Sequence, residues 1–385
     1  MTAKLIPSCG AWWGIAPEIF TGLPPDRALA GAEERMGRAA DILHVYHRSN
    51  ELFPNDREVA LARDPSHRRL LLINWKPSFD VTWAEIAKGA LDRRIDRLAD
   101  HIRQTFPEQF FLTVHHEPED DVRANPGSGM TATDYAAMFR HVVQRLREKG
   151  VKNAVTVMTY MGAPNWASQP WFEQLYPGDD VVDWVAMDPY ADARVRDFDG
   201  LVNKTRKDHA RWPGFYRWMQ WRFSRQAHHG RGVGGVRRRA QGRLLRFGAP
   251  QVKRYPQIKA LVYFDSPRAP RGDTRFDTDP GAGRGLHGTR NRSSLLRDER
   301  AATMSPAPPR STAPPTIQSV AVFPTPRSLR AEASSTTASR ALIGPFRGPC
   351  RDPGAEIDAG DRAEQQRDGE VELEVAEEQV TDRRG

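Results

Sequence analysis

Cysteine is nearly absent: the two in 385 residues, Cys9 and Cys350, stand at opposite ends of the chain. They form no disulfide framework and no cluster at metal-ligand spacing. Long hydrophobic runs are also missing. No stretch approaches the ~18 apolar residues of a membrane span, and the apolar part of the opening "MTAKLIPSCGAWWG" is too short for a secretory h-region. The sequence therefore predicts no membrane partner and no export address, and leaves the compartment undetermined. Acids are missing from one place, with none between Asp208 and Asp265. The formal net charge of +8 is thus unevenly placed, and its location matters more than its sum.

What is there is an alternation. Short apolar runs read as strands at 9–15, 41–47, 69–75, 109–117, 153–160, 183–190 and 258–265. Continuous runs of this length suit strands buried on both faces of a parallel sheet. Amphipathic segments lie between them. "TWAEIAKGALDRRIDRLADHIRQTF" (82–106) predicts a helix with Thr82 and Glu85 as a capping box, and "TATDYAAMFRHVVQRLREKGV" (131–151) predicts another that stops at Gly150. Repeated strand and helix imply parallel βαβ units. Their number predicts an α/β (β/α)8 TIM barrel over residues 1–285, with an open doubly wound sheet as the alternative.

The alternation fails at 218–250, "WMQWRFSRQAHHGRGVGGVRRRAQGRLLRFGAP", where arginine and glycine replace the apolar period and the seventh strand should lie. Residues 286–385, rich in Pro, Arg, Ser, Thr and Ala with an acidic end, are expected to form a disordered tail.

Reactive residues of such barrels sit at the C-terminal strand ends. "TVHHEPEDD" puts Glu117 at the tip of the fourth strand, with Pro118 stopping the ladder and His116 able to donate a hydrogen bond nearby. A partly desolvated carboxyl there holds its proton near neutral pH, as cleavage of a glycosidic bond requires. The bland alternative is a solvated acidic turn. His44, His47, Trp75, Tyr160, Asp188, Tyr190, Tyr263, Phe264 and Asp265 gather at other strand ends, and Trp12 and Trp13 add a stacking wall. Aromatics with acids suit a carbohydrate cleft. Metal binding by His115, His116, Glu117, Asp120 and Asp121 is the rival constellation, but neighbouring strand residues point to opposite faces, so His115 and His116 are poorly placed to share an ion.

"TVHHEPEDD", "DWVAMDPY" and "IKALVYFDS" together resemble glycoside hydrolase family 26, the barrel enzymes typified by endo-β-1,4-mannanases, over roughly residues 10–280. The resemblance implies retaining hydrolysis of a β-linked polysaccharide by a monomer without metal or cofactor. It implies Glu117 as acid/base, His116 as its preceding histidine, Asp188 as a cleft acid and Tyr190 as the tyrosine that hydrogen-bonds the nucleophile. Trp13, Trp75 and Tyr263 join His116, Asp188 and Tyr190 as expected substrate-binding residues. Mannanases of the family carry a tryptophan shortly after the acid/base; "PEDDVRANPGSG" has none, which points to another β-glucan or a xylan.

The family's nucleophile, a glutamate ending the seventh strand before an aromatic and a glycine, is missing. His228–Gly235 is encoded by CAY CAY GGN CGN GGN GTN GGN GGN where the arginine codon is CGN. One nucleotide out of register, the same bases read AYC AYG GNC GNG GNG TNG GNG, which allows Ile-Met-Val-Ala-Glu-Trp-Gly. Residues of about 221–250 therefore read as a segment translated out of frame, and the chain after 278–282 as a second slip. A genuine arginine-glycine segment binding nucleic acid is the rival. Against it, "GRGVGGVRRRAQGR" holds no aromatic to stack on bases, and it has no Walker lysine.

Overall fold

The computed structural model describes residues 4–8, 10–18, 21–189, 195–223, 251–268, 273–275 and the strand at 319–324. Its first five strands are β1 (Trp12–Pro17), β2 (Ile42–Arg48), β3 (Leu70–Lys76), β4 (Phe110–Val114) and β5 (Ala154–Tyr160). β6 (Trp184–Met187), β7 (Ala260–Asp265) and β8 (Ser319–Pro324) complete them. β1 to β6 pair in sequential, parallel order, and β7 pairs parallel with β1. Sequential neighbours with no reversal of strand order exclude the doubly wound alternative.

The seven parallel strands are those expected, the last of them occupying the eighth position of a standard barrel. The gap between β6 and β7 is closed by β8, which runs antiparallel to both. It comes from the stretch expected to be a disordered tail, the rest of which, like 224–250, lies outside the described residues. "SVAV" alternates small and β-branched residues, and the open edges of β6 and β7 offer unpaired backbone groups for it to join.

The helices are α1 (Pro25–Met36), α2 (Asp56–Ala62), α3 (Trp83–Ala87), α4 (Asp92–Thr105), α5 (Ala132–Glu148), α6 (Pro164–Ala167), α7 (Phe198–Val202) and α8 (Phe215–Arg222). The single helix expected at 82–106 is two. Thr82 and Glu85 form the capping box of α3, but Gly89 takes φ 94°, a left-handed conformation that ends the first helix before Asp92 opens the second. The helix at 131–151 is as expected, with Thr131 and Asp134 as its box and Gly150 at φ 87° beyond its end.

Strand alternation sorts the core into two layers. Ala16, Ile42, Leu70, Leu72, Phe111, Val155, Val157, Trp184, Ala186, Val262 and Phe264 pack together inside the barrel. Ile15, Leu43, Leu71, Ile73, Trp75, Leu112, Val114, Met158, Tyr160, Met187 and Tyr263 pack outward with the helices. Which layer a strand residue joins decides whether it can face a ligand.

Candidate active site

The site is built where β4 stops. The strand ends at Val114, and two of the next three residues are left-handed: His115 has φ 50° and Glu117 φ 47°. Left-handed backbone is uncommon for residues with a Cβ and is held here by its surroundings. His115 N–H donates to the Trp75 carbonyl at 2.9 Å, and Glu117 N–H to the Thr159 carbonyl at 3.0 Å. The turn is thereby tied to β3 on one side and β5 on the other.

This geometry breaks the alternation. His115 turns toward the helices, where its Nε2 meets Asp121 at 2.8 Å and its Nδ1 accepts from the Trp83 indole at 3.3 Å. His116 turns inward, with Nδ1 against the Asn74 amide, and its ring lies edge-on to Tyr46 at 6.1 Å. Glu117 then faces the mouth as well and is hydrogen-bonded to Asp188, just past the end of β6. Both carboxyls are buried, Glu117 at 8 % exposure.

Two hydrogen-bonded carboxyl groups need a proton between them. Burial, then the charge of Asp188, pushes the Glu117 carboxyl well above the ordinary carboxylate range. Its Oε1 has no hydrogen-bond partner among the described residues. It is not the solvated turn of the bland alternative.

His44 lies below this pair, fully buried, with its ring 4.3 Å from that of Tyr46. Neither of its ring nitrogens has a hydrogen-bond partner among the described residues. Burial, reinforced by His116, lowers its pKa well below the usual imidazole value, so it stands neutral. Asn74, Tyr46 and Glu119 belong to the site region and were not singled out from sequence. Period-2 counting within each strand, from His44 to Tyr46 and from Leu72 to Asn74, was the signal for the first two.

Glu119 is completely buried, and its Oε1 accepts the Met161 N–H at 2.9 Å. Burial raises its pKa to about 8, against the opposing pull of that backbone donor.

Other expected contacts lie elsewhere. Trp75 is fully buried in the outer layer, with its indole N–H on the Ser49 carbonyl and its ring against Phe53. Trp13 donates to Met36 Sδ in α1, and Tyr263 donates to the Thr274 carbonyl. All three have outward parity on their strands and pack with the helix layer, so none of them joins Glu117. Tyr160 shares that parity. His47 is engaged by Glu58 at 2.9 Å and Glu51 at 3.1 Å, and Asp265 by Arg35 at 2.7 Å. Tyr190 lies outside the described residues.

No family model matches the chain. Endoglucanase H of Acetivibrio thermocellus is 27 % identical over 190 residues, 47 % of this chain and 19 % of that protein. The beta-1,3-xylanase TXYA of a Vibrio species is 28 % identical over 106 residues, 28 % of this chain and 22 % of that protein. The chain thus spans about a fifth of the length of the curated relatives it matches. Among solved structures, the GH26 domain of a Prevotella bryantii endo-beta-mannanase/endo-beta-glucanase aligns at TM-score 0.35 and 10 % identity, over 46 % of this chain and 67 % of that one. The described chain is an α/β barrel with a buried carboxyl pair at its C-terminal mouth.

Proposed function

We propose that this chain is a glycoside hydrolase of the retaining type for β-linked polysaccharide, with Glu117 as general acid/base. The observation that carries the reading is the buried Glu117 paired with Asp188 at the barrel mouth, its carboxyl pushed upward by burial and by Asp188. Glu117 delivers its proton to the glycosidic oxygen as the bond from that oxygen to the anomeric carbon breaks, and later removes a proton from the incoming water. Asp188 keeps the proton on Glu117 until the leaving oxygen takes it. His116, fixed by Asn74, and neutral His44 offer ring nitrogens to sugar hydroxyls.

Retaining hydrolysis needs a second carboxylate, ~5–5.5 Å from the first, to attack the anomeric carbon. Asp121 and Asp265 are held by His115 and Arg35, and Glu119 is docked on Met161. The expected place for a nucleophile is the arginine-rich segment, which has no acid. The same observation favours a second reading, in which this polypeptide binds the glycan and cleaves it very slowly or not at all. An endoglucanase and a xylanase among its relatives support glucan and xylan beside mannan as substrates.

The deciding experiment measures hydrolysis of mannan, xylan and mixed-linkage β-glucan by this chain and by a version with the frame repaired across 221–250. Hydrolysis restored by the repair, and removed again by Glu117→Ala, supports the reading. A repaired chain that still binds one of these glycans and cleaves none establishes the binding reading. Binding to nucleic acid with steep salt dependence would overturn both.

A further inference from the structure

Among the described residues, most large apolar side chains are buried, and Phe79 is an exception at 59 % exposed. It sits on the loop after β3, at the same end of the barrel as Glu117. Single exposed apolar residues are ordinary, so exposure alone says little. The surroundings of Phe79 say more.

The loop that carries it is built to hold still. Ser78 Oγ accepts from the N–H groups of Asp80 and Val81 at 3.1 and 3.0 Å, and Arg94 of α4 donates to the Pro77 carbonyl. Two cations brace the ring, with Lys76 Nζ 5.2 Å and Arg48 Cζ 5.8 Å from its centroid. Lys76 is itself fixed by Asp121 at 2.8 Å, and Asp121 by His115, two residues before Glu117. One continuous set of contacts therefore runs from the exposed ring to the turn that presents the candidate acid. Leu52, 44 % exposed on the loop after β2, is a further apolar side chain at the same end of the barrel.

We infer that Phe79 is a stacking platform for one pyranose unit of a bound β-glycan, forming a subsite at the rim of the barrel beyond β2 and β3. The inference rests on the carbohydrate reading above. An aromatic ring offers its face to the apolar C–H face of a sugar, and a ring already immobilised loses little freedom when the sugar arrives. The occupant is a neutral sugar: Lys76 is neutralised by Asp121, and its position beside the ring is accounted for by the brace. A subsite at the rim is felt only by ligands long enough to reach it from the carboxyl pair.

The test is calorimetric titration of the chain, carrying Glu117→Gln to prevent turnover, with mannohexaose, xylohexaose and a mixed-linkage β-glucan hexasaccharide, and with the matching disaccharides. Phe79→Ala is expected to weaken the best hexasaccharide about five- to tenfold, the scale of one lost stacking contact, and to leave disaccharide affinity unchanged. Phe79→Trp is expected to restore hexasaccharide binding, which a merely structural role would not do. Equal binding by the parent and Phe79→Ala overturns the platform and spares the carbohydrate reading. Tighter binding of a uronic-acid oligosaccharide than of any neutral one overturns the neutral occupant. A parent that binds none of these sugars overturns the carbohydrate reading and the platform with it.

Discussion

Asp188 and Glu117 are hydrogen-bonded across the mouth of the barrel, joining the ends of β6 and β4 through two buried carboxyl groups. Like charges this close cannot both ionise in a dry site, so one proton stays with the pair. The shared proton makes this rim a candidate for acid chemistry.

The pair predicts the response of Glu117 to loss of its neighbour. Asp188→Asn removes the charge that disfavours ionisation, so the Glu117 carboxyl is expected to titrate at lower pH than in the parent. Carboxyl-carbon NMR of selectively labelled glutamate reads this directly, without any turnover. An unchanged or higher titration point would contradict the pairing.

Glu119 predicts a stability that falls with pH. Its folded pKa is about 8 against 4.5 for the free side chain. Between these values the unfolded chain releases a proton that the folded chain keeps. The stabilisation is therefore complete below 4.5 and is lost as pH rises to 8, at up to ~1.4 kcal/mol per pH unit. Glu119→Gln cannot titrate. Urea melts at pH 5 and pH 8 are expected to show the variant gaining on the parent by on the order of 3 kcal/mol. Parallel behaviour at both pH values would show that Glu119 is ionised in the fold.

His47 titrates higher. Burial alone would lower its pKa, but hydrogen bonds to Glu51 and Glu58 raise it to about 9 from 6.5. This stabilisation is full below pH 6.5 and is lost as pH rises through 9. With the partial exposure of Glu51 taken into account, it amounts to on the order of 2 kcal/mol. Glu58→Gln is expected to lower the melting temperature clearly at pH 6 and only slightly at pH 10. Glu58 also closes a capping box with Asn55 at the start of α2, and a loss of equal size at both would assign it to that box alone.

Trp75 tests the parity argument. Trp75→Ala opens a cavity in the outer layer and is expected to cost about 3–5 kcal/mol of stability, measured by chemical denaturation, with oligosaccharide affinity unchanged in the folded fraction. Trp75→Phe is expected to recover much of that loss. Selective loss of sugar binding with stability intact would return Trp75 to the cleft.

The sequence by itself determined the existence and order of the seven parallel strands, with ends displaced by up to three residues, because each is a short apolar run that can be buried only between two layers. It also singled out Glu117, through an acid-rich turn placed directly after such a run. It could not determine which strand-end residues share a face with Glu117. Trp13, Trp75 and Tyr263 read as cleft aromatics, yet in β-strands a shift of one residue exchanges the two faces, and tertiary packing set all three outward. Alternation also failed past the end of β4, where left-handed backbone at His115 and Glu117, held by the Trp75 and Thr159 carbonyls, aims His116 and Glu117 into one mouth. The closure of the barrel by Ser319–Pro324 was likewise a tertiary outcome, since the pairing of a distant strand depends on the open edges of β6 and β7 rather than on its own composition.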